Sequence, residues 1–426
     1  MNLAGNQKTV TSVAGQVLAG ALEWLTRRED RSPSFELPPN LPRRPAINHL
    51  LNSMFRRLGW IDWALARLCR KGRASRELQS LLRLSLAQML SEDGLPPAIV
   101  VDVSVRLAHS RFSRREAGFV NAVLRSFLRE QERLAALPET ELPATARFNL
   151  GRELLIQWRR HLDESEVCRL AELLQTPPKM MVRRRLPCPT EEPDNELAET
   201  LRPAPTFDWA AGERFWQCLQ PRMFLASAQF KQGYFYVQDP ATALAPAMLQ
   251  PAPGETIADL CAAPGGKSLL LSDKLAGQGR LLCGDIDHRR LQRLCANLKG
   301  SERIWLFQAS ADQPPLAPGS CNAVLLDVPC SNTGVIRRRP DVRWRFSHAA
   351  LQRLLRLQSA MLAGSAPLLA PGGRLVYSTC SLEPEENSGQ VRDFLRRHPR
   401  FALVRERLLM PATWHDGAYA ALLRCG

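Results

Sequence analysis

Two short runs carry the residue types best suited to covalent chemistry. They are Asp327-Val328-Pro329-Cys330-Ser331-Asn332-Thr333-Gly334 and, fifty residues later, Tyr377-Ser378-Thr379-Cys380-Ser381. A thiolate is a strong nucleophile, and even an unperturbed cysteine is a few per cent ionised at neutral pH. Each cysteine follows an apolar run that reads as a buried parallel strand, Ala323 to Leu326 and Arg374 to Tyr377. In open α/β sheets the crevice beyond the carboxyl ends of the strands is where ligands collect. The spacing therefore predicts one site holding two thiols, Cys330 and Cys380, and the carboxylate of Asp327. Cysteines are also common as small buried hydrophobes, which is the preferred reading for Cys69, Cys283, Cys295 and Cys321.

A third run, Asp259-Leu260-Cys261-Ala262-Ala263-Pro264-Gly265-Gly266-Lys267-Ser268, follows a strand and opens a helix. Its glycines allow a sharp turn and a close backbone approach, and the helix offers unpaired N–H groups to an anion. A P-loop would need glycine where Cys261 stands, and the dinucleotide pattern GxGxxG is absent. Asp285, at the end of the next strand, is placed to hold the hydroxyls of a ribose. A glycine loop with a ribose-binding acid and no pyrophosphate machinery suits a nucleoside cofactor such as S-adenosylmethionine, or else a plain strand-to-helix turn.

These residues need elements to position them. From Tyr236 onward, apolar strands (256–260, 280–283, 323–326, 375–377) alternate with helical stretches, the signature of βαβ units and a parallel sheet. The first third has helical periodicity instead, in Leu78, Leu81, Leu82, Leu86, Met89 and Leu90, and in Phe119, Val120, Val123, Leu124, Phe127 and Leu128. Both sets read as core faces. Prolines between Pro33 and Pro45 and between Pro187 and Pro205 read as loops. The expected organisation is an all-α domain over 1–142, a small α+β subdomain over 143–235 and a Rossmann-like α/β domain over 236–426.

The chain has 426 residues, enough for two or three cores, and a formal net charge of +15. Arginine outnumbers lysine 50 to 7. Such a surface attracts phosphate backbones in a salt-dependent way. Eleven cysteines without a CxxC pair suggest neither a disulfide framework nor a zinc site. No run approaches the ~20 apolar residues of a membrane span. The expectation is a reduced, cytoplasmic protein without metal or membrane contact.

The runs from Asp259 to Lys267, from Asp327 to Trp344 and from Tyr377 to Asn387, in this order, resemble the RNA cytosine-5 methyltransferases, in particular the branch acting on bacterial ribosomal small-subunit RNA. Gly233 to Ala241 resembles the family's entry segment, and Gly118 to Arg125 resembles its NusB-like helical RNA-binding domain. The likeness covers most of the chain from about residue 50. It implies a Rossmann-like S-adenosylmethionine methyltransferase domain preceded by a NusB-like all-α domain, acting as a monomer on a cytosine of 16S rRNA. It also implies roles. Cys380 attacks C6 of the base, Asp327 holds or protonates N3, and Cys330 assists removal of the C5 proton. Cys261, Ala262, Ala263, Pro264, Gly265, Gly266 and Lys267 line the cofactor site, with Asp285 on the ribose and Asp327 close by. The family's third cofactor acid falls at Asp312 through a two-residue shift, or Ser310 takes its place. Arg337, Arg338, Arg339 and Arg343 are expected phosphate contacts. Val328 and Asn332 depart from the usual alanine and small residue. The alternatives are the same chemistry on tRNA or another rRNA site, a DNA-type enzyme using Cys330 as nucleophile, and a non-catalytic RNA-binding assembly factor.

Overall fold

The structure, a computed structural model, describes residues 3–27, 36–69, 74–91, 94–185, 193, 195–299 and 303–426. Parts of both proline-rich stretches lie outside the described residues. The chain forms two compact units, one of Met1–Gln175 with Arg339–Phe346, the other of Thr176–Arg338 with Ser347–Gly426.

The first unit is helical. Leu3–Arg27, Arg44–Leu68, Arg76–Met89, Pro97–Arg111 and Arg114–Ala135 are its long helices, with shorter ones at Ala144–Arg147, Arg152–Trp158 and Glu164–Gln175. The helix at Arg114 starts where the sequence allows reciprocal capping. Ser113 accepts from the Glu116 N–H, and the Glu116 carboxylate accepts from the Ser113 N–H at 3.0 Å. Val120, Val123, Leu124 and Phe127 are buried as their spacing predicts, and so are Leu78, Leu81, Leu82 and Leu86. Phe119, Leu128, Met89 and Leu90 are only partly covered.

The segment Arg339–Phe346 completes this unit. Arg343 is 1% exposed and donates to the carbonyls of Arg56 at 3.2 Å, Asn149 at 3.3 Å and Leu174. The Trp344 indole donates to the Phe55 carbonyl at 2.7 Å, and Gly151 N–H donates to the Arg343 carbonyl at 3.0 Å. Burial, with Arg56 nearby, pushes the Arg343 pKa down to about 9. Buried carbonyls without partners are costly, and a guanidinium presents its donors in a fixed fork, so Arg343 acts as an internal cap. It is not available to a phosphate, which corrects the expectation for this residue.

The division at residue 142 is also corrected. The helices between 144 and 175 share the first unit with the preceding bundle, since Leu154, Leu155, Trp158, Val167, Leu170 and Leu174 bury their apolar faces there. The second unit begins with a four-stranded antiparallel sheet, β1 (Met181–Arg184), β2 (Leu201–Pro203), β3 (Phe215–Cys218) and β4 (Phe235–Val237), ordered β2-β3-β1-β4. Its main sheet comprises β5 (Thr256–Asp259), β6 (Arg280–Asp285), β7 (Ile304–Gln308), β8 (Cys321–Asp327), β9 (Leu369–Thr379), β10 (Phe401–Leu409) and β11 (Ala418–Cys425), in the order β10-β11-β9-β8-β5-β6-β7. The five strands β5 to β9 run parallel, and β10 and β11 run antiparallel at one edge. The chain order reverses between β8 and β5, a topological switch point. Asp259, Asp285, Asp327 and Thr379 end β5, β6, β8 and β9 on the same side of the sheet.

Candidate active site

The loop after β5 is built for close approach. Gly265 has φ of 111°, a conformation that favours glycine, and a Cβ there would sit 2.8 Å from Leu294 Cδ1. The Ala263-Pro264 peptide is cis. Outside groups fix the loop's carbonyls. Arg290 donates to Ala263 O at 3.1 Å, Asn297 to Pro264 O at 2.7 Å and Gln238 to Gly266 O at 3.1 Å. Gln238 is itself oriented by the buried Arg183, which donates to its Oε1 at 2.7 Å and pairs with Glu213 and Asp273.

Three carboxylates around this loop keep an oxygen that is buried without a hydrogen-bond partner: Asp259 Oδ1, Asp285 Oδ2 and Asp312 Oδ1. Asp285 Oδ1 accepts from Asp287 N–H at 3.0 Å, and the cation nearest its Oδ2 is Arg290 at 3.6 Å. Buried carboxylate oxygens normally have donors, so the set fits a ligand rich in hydroxyl or amino groups. Ser310 shows no comparable feature. Cys261 lies among Asp259, Asp285 and Asp327, and burial together with these charges raises its pKa strongly, so it lines the site without nucleophilic character.

Burial pushes the Asp259 carboxyl up to about 7, opposed by its bond from Ser268 at 2.7 Å, with Asp327 adding and Lys267 opposing. A folded-state pKa above the ordinary value of 3.8 means that the folded chain holds a proton the unfolded chain has lost. Stability from this group is complete below about pH 4 and is lost as pH rises through about 7, by at most about 4 kcal/mol. Denaturant midpoints should therefore fall between pH 5 and pH 8 in the wild type, and Asp259→Asn should flatten that fall. An identical slope in both proteins would assign the fall to other groups.

Beyond β8 and β9 the two expected thiols meet. Cys330 Sγ and Cys380 Sγ are 3.3 Å apart, Cys330 buried and Cys380 partly accessible. The parallel register of β8 on β9, with Asp327 opposite Ser378, brings the two loops to the same point. The bond to Cys380, then burial and then the charge of Glu386, raises the Cys330 pKa well above that of an ordinary thiol. Asn332 adopts the left-handed region at φ 63°, which suits asparagine or glycine. Its amide donates to Cys330 O at 2.7 Å, and its Oδ1 accepts from Cys380 at 3.3 Å. The departure from a small residue at this position thus supplies direct contacts to both cysteine segments.

Asp327 accepts from Lys267 Nζ at 2.5 Å through Oδ2 and from Ser378 Oγ at 2.5 Å through Oδ1. Both carboxylate oxygens thus act as acceptors. Burial works against the Lys267 ammonium, but attraction and a hydrogen bond to Asp327, with Cys380 and Asp259 adding, lift its pKa above the lysine value. The sequence places Lys267 in the cofactor lining and assigns Ser378 no role, so it does not foretell these partners of Asp327. Glu386 and Gln358, buried beside the Cys330 loop, were also missed.

Of the four arginines expected on phosphate, Arg337 is 4% exposed and donates to Ala412 O at 2.8 Å and Pro177 O at 3.2 Å, so it too is corrected to an interior brace. Arg338 is bound by Asp239 at 2.7 Å and by Asp416. Burial, then the charge of Asp239, pushes Asp416 up to about 6, with Arg338 opposing. Arg339 is exposed. Of the cysteines read as core, Cys283 and Cys321 are buried, Cys69 is intermediate and Cys295 is exposed. Among the described residues no His, Cys, Asp and Glu cluster could hold a metal ion, and no helix is long and apolar enough to cross a membrane.

Comparison with known proteins agrees with this arrangement. Residues 246–420 match the family model for 16S rRNA methyltransferase RsmB/F, and residues 19–129 match the NusB family. A probable ribosomal RNA small subunit methyltransferase B of Synechocystis sp. is 30% identical over 85% of this chain and 82% of its own length. Ribosomal RNA small subunit methyltransferase B of Salmonella paratyphi C is 31% identical over 93% of this chain and 92% of its own length. The crystal structure of PH0851 shares the fold, with a TM-score of 0.74 at 24% identity, over 90% of this chain and 91% of that one.

Proposed function

Because this chain belongs to the ribosomal RNA small subunit methyltransferase B family, we propose that it methylates C5 of a cytosine in 16S rRNA through a covalent bond from Cys380 to C6. The observation that carries the reading is the pair of thiols 3.3 Å apart beyond the switch point, with Asp327 held by Lys267 and Ser378 alongside.

C5 of cytosine is a poor nucleophile until a group adds at C6 and turns the ring into an enamine. The attacking group must be soft, and it must also be able to leave, which a thiolate satisfies. Attack by the Cys380 sulfur forms the S–C6 bond, the thiol proton passes to N3 where negative charge develops, and Asp327 accepts hydrogen bonds from the resulting N3–H and from the N4 amino group. S-adenosylmethionine, when bound, supplies an electrophilic methyl group to C5. Cys330, having released its own proton to solvent, then takes the C5 proton as a thiolate, the C5–C6 double bond re-forms and Cys380 departs as a thiolate. Asp285, Asp312 and the segment from Cys261 to Lys267 are the residues that would hold the cofactor, and their unpartnered oxygens support that assignment. C6 is out of reach within a stack, so the target is single-stranded or flipped. Arg338 and Arg339 remain the arginines of the motif placed to meet a phosphate, and with a net charge of +15 the binding weakens as salt rises.

Incubation with methyl-labelled S-adenosylmethionine and unmodified small-subunit rRNA, with tRNA in parallel, tests the reading. Label appearing as 5-methylcytosine in the rRNA is the expected result. Label confined to tRNA would move the substrate, and no label in either RNA would favour a non-catalytic RNA-binding role.

A further inference from the structure

Cys330 and Cys380 lie on separate segments, and a carboxylate with no part in the steps above holds those segments together. Glu386 is fully buried, in the wide turn Glu385–Gly389 that follows Cys380. Its oxygens receive the Ser331 N–H at 2.9 Å, the Ser331 hydroxyl and Gln358 Nε2 at 2.9 Å. Gln358 Nε2 also donates to Pro329 O at 3.0 Å. Both neighbours of Cys330, Pro329 and Ser331, are thereby tied to one carboxylate and its amide partner. On the other side, the Glu386 carbonyl accepts from the Tyr377 hydroxyl at 2.7 Å. The adjacent Asn387 accepts from Thr379 at 2.6 Å and donates to Ser381 O at 2.9 Å, bracketing Cys380.

Among the described residues no lysine or arginine pairs with Glu386. Burial raises its pKa, and the bonds from Ser331, Ser381 and Gln358 oppose that rise. A buried carboxylate without a cation is a poor source of stability. What the donors of Ser331 and Gln358 do secure is a fixed geometry for the loop that carries Cys330.

We infer that Glu386, with Gln358, is a positioning residue that holds the Cys330 thiol against Cys380 for the release step, an inference that rests on the two-cysteine reading above. In that step Cys330 removes the C5 proton while the C6–S bond breaks. A displaced Cys330 leaves attack by Cys380 and methylation intact but slows the elimination. The methylated base then stays bonded to the protein. Glu386→Gln keeps the volume but turns an amide NH2 toward groups that are themselves donors, so at most part of the clamp survives. Gln358→Met removes the tie to Pro329 without touching the turn after Cys380.

The experiment compares wild type, Cys330→Ala, Glu386→Gln and Gln358→Met with S-adenosylmethionine and unmodified rRNA, reading kcat, the KM for cofactor and denaturation-resistant RNA complex. Glu386→Gln is expected to lower kcat by about 10- to 100-fold, leave the cofactor KM within about twofold, and accumulate complex as Cys330→Ala does; Gln358→Met should do the same to a lesser degree. Both variants turning over at the wild-type rate, or losing rate with a raised KM and no trapped RNA, would overturn the inference in favour of a purely structural role. Failure of Cys330→Ala itself to trap RNA would overturn the two-cysteine reading and the clamp with it, and that control keeps the two failures apart.

Discussion

Cys380→Ser is expected to lower methyl transfer by about 10,000-fold or more and to leave no RNA bonded to the protein, because the serine hydroxyl is a far weaker nucleophile at neutral pH and a far poorer leaving group. Cys330→Ser should behave in the opposite way. Cys380 remains able to add to C6 and the methyl group is still transferred, but the group that takes the C5 proton is gone, so a complex that survives denaturation builds up. The geometry makes the assignment directional: Cys380 is the partly accessible thiol, whereas Cys330 is buried. A denaturing gel of both variants with rRNA and cofactor reads the outcome. Trapped RNA with Cys380→Ser and none with Cys330→Ser would exchange the two roles, as a DNA-type enzyme requires.

Asp327→Asn is expected to cost about 100- to 1,000-fold in kcat, the range found when a single group facing developing charge is removed. The substitution is not neutral in shape terms. An asparagine oxygen can still accept from Ser378, but its NH2 then faces the Lys267 ammonium, which today donates to Oδ2 at 2.5 Å. Lys267→Met removes that ammonium and should lower kcat in the same direction, by about 10- to 100-fold. Single-turnover methyl transfer at saturating RNA separates this from weaker binding. Rates within tenfold of wild type for Asp327→Asn would remove Asp327 from the stabilisation of the ring.

What the sequence made legible follows from local rules. Strands β5, β6 and β8 are short apolar runs bounded by turn residues, and their ends deliver Asp259, Asp285 and Asp327 to one edge of the sheet. The meeting of Cys330 and Cys380 follows from two strands being parallel neighbours, with each cysteine just beyond its strand. The helical faces around Leu81 and Val123 follow from their period. Long-range partners carried no such signal. Lys267 and Asp327 are sixty residues apart, and only the positions of β5 and β8 beside each other make them a pair. Four arginines within seven positions read as phosphate contacts, yet Arg337 and Arg343 end on backbone carbonyls. The apolar neighbours Val342 and Trp344 were the only hint that this stretch turns inward. The three- and four-residue strands β1 to β4 are too short for an alternation to register, which is why the helices up to residue 175 were grouped with them.

The Arg343 cap also sets an order in time. Its three carbonyl partners, on Arg56, Asn149 and Leu174, belong to the first 175 residues, but the side chain that satisfies them comes some 170 residues later. At the ribosome's pace of about 5–20 residues per second, the nascent bundle waits about 10–30 s with these carbonyls lacking their guanidinium. By then the Pro329-Cys330 segment has already been made. The helical half is thus finished only once half of the chemistry of the site exists, and a chain stopped at Gln175 ends without the piece that closes it.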